Sequence, residues 1–72
     1  MSAADRARAV ATAQVSEFMR KRKITLDDLA NFGGKDLKSS DTSRVEKARH
    51  VEKTWALMAR LGLWYADMCG AP

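Results

Sequence analysis

The segment Arg20 to Gly34, RKRKITLDDLANFGG, most constrains what this chain can fold into. Within fifteen residues it closes one helix, opens a second and stops it. Four consecutive cations suit a helix C-terminus, where unpaired carbonyls carry partial negative charge. Thr25 is a natural N-cap, and Asp28 three residues later completes a capping box. Asp27 and Asp28 fall in the first turn, where the dipole favours anions. Ile24 staples onto Leu29, and Leu26, Leu29, Ala30 and Phe32 form the buried side. Gly33 and Gly34 end the element, because glycine enters the left-handed conformation at little cost.

The flanking sequence is helical as well. Ser2 and Asp5 form a capping box for a first helix over residues 3–22. Ala7, Val10, Ala11, Gln14, Val15, Phe18 and Met19 make its apolar stripe. A polar turn, KDLKSSDTS, follows the two glycines, with Leu37 pinning it to the core. Ser43 with Glu46 is a capping box for a third helix over 43–61; Asp41 or Thr42 serves equally, one turn earlier. On that helix Ala48, Val51, Trp55, Met58 and Ala59 cluster within about 100° of arc. Gly62 stops it, and residues 64–69 make one short final turn. No stretch alternates apolar and polar residues as a strand does, and the only proline is Pro72. No internal repeat is visible. The expected fold is all-α: a small single-domain bundle of three main helices (3–22, 26–32, 43–61) and a short C-terminal turn. Its expected core is Phe18, Leu29, Phe32, Val51, Trp55, Met58 and one of Leu63 or Trp64.

At 72 residues the chain is one domain, with an expected stability on the order of 3–5 kcal/mol. Cys69 is the lone cysteine, so there is no disulfide framework, and a reducing cytoplasmic setting fits. No stretch reaches the roughly 18 apolar residues of a membrane span. The N-terminus lacks the apolar run of a signal peptide.

Catalytic chemistry finds little support. The sole histidine, His50, has Glu46 one turn before it, but that pair lies on the polar face of the third helix with no nucleophile nearby. Asp27 and Asp28 are adjacent and point about 100° apart. No spacing suits a metal, and the glycine pair lies at a helix end rather than a start, so it cradles no phosphate. The expectation is a non-enzyme without cofactor or metal.

Charge points toward a polyanion. The net charge is +4, and residues 1–23 alone carry +4. The stretch ITLDDLANFGG resembles the first helix of the helix-turn-helix in phage-repressor and Cro-type regulators, with Lys23, Thr25, Leu29, Ala30 and Gly34 at the positions that carry the likeness. The connector to the next helix, about eight residues, is longer than the family's usual three or so. The resemblance implies a small dimeric regulator that binds double-stranded DNA. Ser40, Thr42, Ser43, Arg44 and Lys47 would then face a groove, and Arg20, Arg22 and Lys23 the flanking phosphates. The competing expectation is a helical protein-interaction module or dimeric adaptor whose basic face meets an acidic protein. On the third helix His50, Thr54, Leu57 and Leu61 form a second stripe, covered either by the folded-back WYADM segment or by a partner, and Leu57, Leu61 and Trp64 are the expected interface residues.

Overall fold

A computed structural model describes residues 2–70. The chain is all-α: 78% of the described residues are helical, and no strand occurs among them. Helix α1 spans Ala3–Lys21, α2 Leu26–Asn31, α3 Thr42–Arg60 and α4 Tyr65–Cys69. A 3-10 turn, Gly34–Lys38, occupies the connector between α2 and α3. Among the described residues no helix is long and apolar enough to cross a membrane.

Local chemistry sets most of these boundaries. Ser2 Oγ accepts the Asp5 N–H to start α1. Thr25 and Asp28 exchange hydrogen bonds in the full capping box that opens α2. At α3 the cap is Asp41, whose Oδ1 accepts the Ser43 and Arg44 N–H groups. The Ser43–Glu46 box does not form, because Ser43 already lies inside the helix. The glycine pair also departs from expectation: α2 ends at Asn31 with Phe32 in extended conformation, and neither Gly33 nor Gly34 has positive φ.

The left-handed residues lie elsewhere, at Lys23 (φ 56°) and Gly62 (φ 71°), and each closes a long helix in the same way. After α1, the Ile24 N–H reaches Met19 O at 3.0 Å and the Lys23 N–H reaches Arg20 O at 3.2 Å. After α3, the Leu63 N–H reaches Met58 O at 2.8 Å and the Gly62 N–H reaches Ala59 O at 3.2 Å. Both are Schellman closures, and in both the flanking apolar pair (Met19 with Ile24, Met58 with Leu63) is buried.

The correspondence extends further and corrects the expectation of no repeat. With an offset of 39 residues (Met19 to Met58), α1–α2 and α3–α4 are two copies of one unit: long helix, Schellman closure, short helix. Buried positions match: Val15 with Thr54, Met19 with Met58, Ile24 with Leu63, Leu29 with Met68. Asp28 and Asp67 correspond, each accepting the backbone N–H of the residue before its short helix. Each long helix packs on the other unit's short helix. The arrangement is a pseudo-two-fold pair of helical units, which sequence identity is too low to reveal.

The core follows that symmetry except at Ala11 and Val51, whose counterparts His50 and Thr12 are only half-buried. Ala11, Val15, Met19, Ile24, Leu29, Val51, Met58, Leu63 and Met68 form it. Fully burying one such large side chain contributes roughly 1.5–3 kcal/mol. Phe32 and Trp55 are half-buried against this cluster rather than inside it. Phe18, expected in the core, is half-buried and lies under the Arg22 guanidinium, 3.5 Å from its ring centroid. Of the two candidates after Gly62, Leu63 is buried and Trp64 is 77% exposed.

The symmetry breaks at one end. The 3-10 turn covers the N-terminal half of α3, so Ala48 is buried; its counterpart Ala9 is exposed, as is every residue from Ser2 to Val10. No described residue stands over α1 where the 3-10 turn stands over α3. The molecule is consequently elongated, 47 × 18 × 16 Å, with a radius of gyration of 13.1 Å. A compact chain of this length would have roughly 11 Å.

Candidate nucleic-acid interface

The cations expected to meet DNA form two groups. Arg20, Arg22 and Lys23 precede the start of α2; Arg44 and Lys47 come from the start of α3, Arg44 over Phe32 just past the end of α2 and Lys47 reaching Asp28 in its first turn. α2 is held along its length by the second half of the chain: Tyr65 Oη donates to Leu26 O, the Trp55 indole N–H to Leu29 O, and the Lys47 ammonium lies 3.3 Å from Asp28.

Within the first group, Arg20 makes a two-pronged pair with Glu17, at 2.6 and 3.0 Å, and Lys21 adds a looser contact at 4.0 Å. The Arg20 hydrogen bond holds the Glu17 carboxyl below its ordinary range. Arg22 donates to Phe18 O at 3.1 Å while stacking on that residue's ring. Lys23 is exposed, and no ion pair engages it among the described residues.

The second group is tied into the fold. Arg44 Nε donates to Asp36 Oδ1 at 2.7 Å. The Gly33 N–H donates to the other carboxylate oxygen at 2.8 Å. Those two bonds, the Gly33 one foremost, hold the Asp36 carboxyl below its usual value. At Asp28, burial pushes the carboxyl up, but the Thr25 N–H and Lys47 outweigh it and the net shift is downward. Phe32 lies beneath both cations, its centroid 5.3 Å from the Arg44 guanidinium and 5.9 Å from the Lys47 ammonium. Arg44 and Lys47 therefore dock α3 onto the 3-10 turn and α2. Their side chains nonetheless remain 52% and 40% exposed, leaving an outer edge of each open to solvent.

Ser40, Thr42 and Ser43 are exposed at the start of α3. The 3-10 turn adds two exposed cations beside them, Lys35 and Lys38, which the sequence reading did not select. Asp36, which fixes Arg44, and Phe32, which lies beneath Arg44 and Lys47, were likewise not among the expected site residues. The available signal was an aspartate three residues after Gly33, the same spacing as Thr25 to Asp28.

Four aspartates serve as helix-start acceptors: Asp28, Asp36, Asp41 and Asp67. Most of the cations have no such internal use. Arg6, Arg8, Lys23, Lys35, Lys38, Arg49, Lys53 and Arg60 are exposed and form no ion pair among the described residues. The outward-facing charge is thus more basic in character than the composition alone conveys.

The expected partner residues divide. Leu57 and Leu61 are half-buried and line a shallow groove with Val10, Ala13, Gln14, Glu17 and Arg60, so α1 rather than the C-terminal segment flanks them. Thr54, placed on the same stripe, is fully buried and donates its hydroxyl to His50 O. His50 itself is half-buried, its Nε2 3.8 Å from Glu46 and its Nδ1 sealed from solvent without a partner. Among the described residues no cluster of three potential metal ligands occurs. Comparison with known proteins finds no matching family model, no matching curated protein and no matching solved structure.

Proposed function

We propose that this chain is a small non-enzymatic, cytoplasmic DNA-binding protein that meets the duplex with the end of the molecule formed by the 3-10 turn and the start of α3. The observation that supports the reading is the division of charge: four of the six aspartates accept bonds at helix starts, while eight of the thirteen lysines and arginines are exposed and form no ion pair among the described residues. At this end, Lys35, Lys38, Arg44 and Lys47 surround the exposed hydroxyls of Ser40, Thr42 and Ser43. Lysine and arginine neutralise phosphates, hydroxyls hydrogen-bond them, and the start of α3 presents positive dipole charge. Arg44 and Lys47, although each is shared with a carboxylate, keep an outer edge open for a phosphate; Lys23 and Arg22, before the start of α2, lie beyond this patch and would touch phosphates further along the duplex.

A fluorescence-anisotropy titration on mixed-sequence duplex at two salt concentrations tests this. Each phosphate neutralised contributes a log–log slope of about −0.9. A Lys35→Ala, Lys38→Ala double variant should weaken binding uniformly across sequences and make the slope about two units shallower. Absence of binding at low salt would rule the reading out.

The second reading is a protein-interaction module. It is favoured by Trp64, a tryptophan 77% exposed in a chain whose other tryptophan is packed. Binding to an acidic polypeptide with no affinity for duplex DNA would select it.

A further inference from the structure

The two long helices differ at corresponding positions along the edge of their core-facing sides. On α1 Phe18 lies at that edge, and Arg22, one turn later, places its guanidinium 3.5 Å from the ring centroid and donates to Phe18 O at 3.1 Å. By the 39-residue offset, the counterparts of Phe18 and Arg22 are Leu57 and Leu61. The cation that covers an apolar side chain in one half is thus a second leucine in the other. Two positions on α1 change in the same sense: Val10 and Ala13 stand where the second unit has Arg49 and Glu52. Val10, Ala13, Leu57 and Leu61 line one shallow groove of about 830 Å³, and Val10 is 56% exposed. Four positions that are charged or cation-covered in their counterparts are therefore apolar here, and the fold gathers them into one groove.

We propose that this groove binds an acidic amphipathic helix of a partner protein. The surrounding charge sets the sign. Arg6, Arg20, Lys21, Lys53 and Arg60 lie in the groove or one helical turn from a residue that lines it. The one carboxylate so placed is Glu17, and Arg20 and Lys21 already engage it. Arg6, Lys53 and Arg60 are exposed and form no ion pair among the described residues. A second copy of this chain would bring the same unpaired cations against these, like on like, so the rim disfavours self-association. The length of the groove suits a helix. From Val10 to Glu17 the α1 wall runs about 10 Å, and apolar residues at i, i+4 and i+7 of a partner helix span the same distance. Those side chains seat on the apolar floor while carboxylates on the flanks meet Arg6, Lys53 and Arg60. The inference rests on neither the DNA reading nor Trp64.

Fluorescence anisotropy tests it with a labelled helical peptide of about 16 residues that carries leucine at i, i+4 and i+7 and glutamate on both flanks. Micromolar binding is expected. The same leucines flanked by lysine, and the same glutamates around serine, should each bind at least about tenfold more weakly. Val10→Arg and Leu61→Arg are the deciding variants, since each installs the residue that the other half carries. Each adds a positive charge, which alone would tighten an acidic ligand, yet each should weaken the peptide about tenfold or more by covering the floor. Val10 is exposed, so its variant keeps the test in place even where Leu61→Arg fails to fold. A wild-type protein that leaves the acidic peptide unbound at several hundred micromolar, or binds the lysine peptide equally well, overturns the proposal. So does tighter peptide binding by Val10→Arg, which would reduce the interaction to charge alone. A wild-type dimer that Val10→Arg dissociates overturns it too, giving the groove to a second copy. Duplex titrations keep the two sites apart: Val10→Arg should leave DNA affinity undiminished, and the Lys35→Ala, Lys38→Ala double variant should leave peptide affinity within about twofold. Loss of peptide binding in that double variant would move the site to the 3-10 end and overturn the proposal.

Discussion

Asp36 accepts Arg44 Nε at 2.7 Å on one carboxylate oxygen and the Gly33 N–H at 2.8 Å on the other. One buried carboxylate thus ties the start of the 3-10 turn to the start of α3. Removing the acid strands both donors; removing the arginine leaves the Gly33 bond intact. Asp36→Ala should therefore lower the urea midpoint more than Arg44→Ala does. Asp36→Asn keeps an acceptor for Gly33 but releases Arg44 from an ion pair. On the DNA reading it should tighten duplex binding at fixed salt even as stability falls. Weaker binding in a variant shown to be folded would count against Arg44 as a phosphate contact.

Acid sensitivity follows from the same carboxylates. Asp28 and Asp36 both have folded values below the unfolded value of 3.8. A depressed carboxyl contributes stability that is complete above its unfolded value and is lost as pH falls through the folded one. Stability from these two groups should be level from neutral pH down to about 5 and should decline below about 4. Chemical denaturation across that range checks it: the Asp28→Asn, Asp36→Asn double variant should be weaker at pH 7 and show a shallower decline in acid. An equal decline in both proteins would place the acid sensitivity elsewhere.

The two tryptophans should respond oppositely to substitution. Trp55→Phe keeps an aromatic ring but strands the Leu29 carbonyl, a cost of about 1 kcal/mol. Trp64→Ala should change monomer stability by less than about 0.5 kcal/mol, as exposed substitutions do. Urea unfolding at low micromolar concentration measures both, and emission spectra of the single-tryptophan variants should show Trp64 red-shifted relative to Trp55.

The all-α class and the four helical segments were legible because caps and period are local properties. Thr25–Asp28 and Gly62 acted as read; of the Ala48–Val51–Trp55–Met58–Ala59 stripe, Ala48, Val51 and Met58 are buried, Trp55 is half-buried and Ala59 is exposed. Phe18 misled because α1 faces the core along Ala11, Val15 and Met19, which places Phe18 at the edge of that face under Arg22. Met58→Ala should cost about 2–5 kcal/mol, enough to unfold much of so small a chain, and Phe18→Ala distinctly less. Thermal melts of the two would show whether this ordering holds. The DNA-facing residues were only half legible. The sequence displays Arg44 and Lys47 as cations but not their anchors, since Asp36 and Asp28 reach them only after the connector winds into a 3-10 turn. The repeat was hidden because its matches are Met for Met, Ile for Leu and Leu for Met, with an aspartate between them; burial is shared where identity is not.

That repeat supplies a reciprocal test at Lys23 and Gly62, which occupy the same left-handed position in the two Schellman closures. A non-glycine residue there costs roughly 1–2 kcal/mol, against roughly 0.5–1 kcal/mol that glycine adds in unfolded-chain entropy. Lys23→Gly should accordingly leave stability unchanged or raise it by up to about 1 kcal/mol, and Gly62→Ala should lower it by about 1 kcal/mol, although nothing lies within 4 Å of the added methyl. Gly33→Ala is the control: its backbone is extended and the space around it open, so alanine fits without strain. If Gly62→Ala were as benign as Gly33→Ala, the two closures would not share the geometry assigned to them. Because Lys23→Gly also removes an exposed cation without weakening the fold, the same protein reports whether duplex DNA extends to that corner: a salt slope shallower by about one unit places a phosphate there.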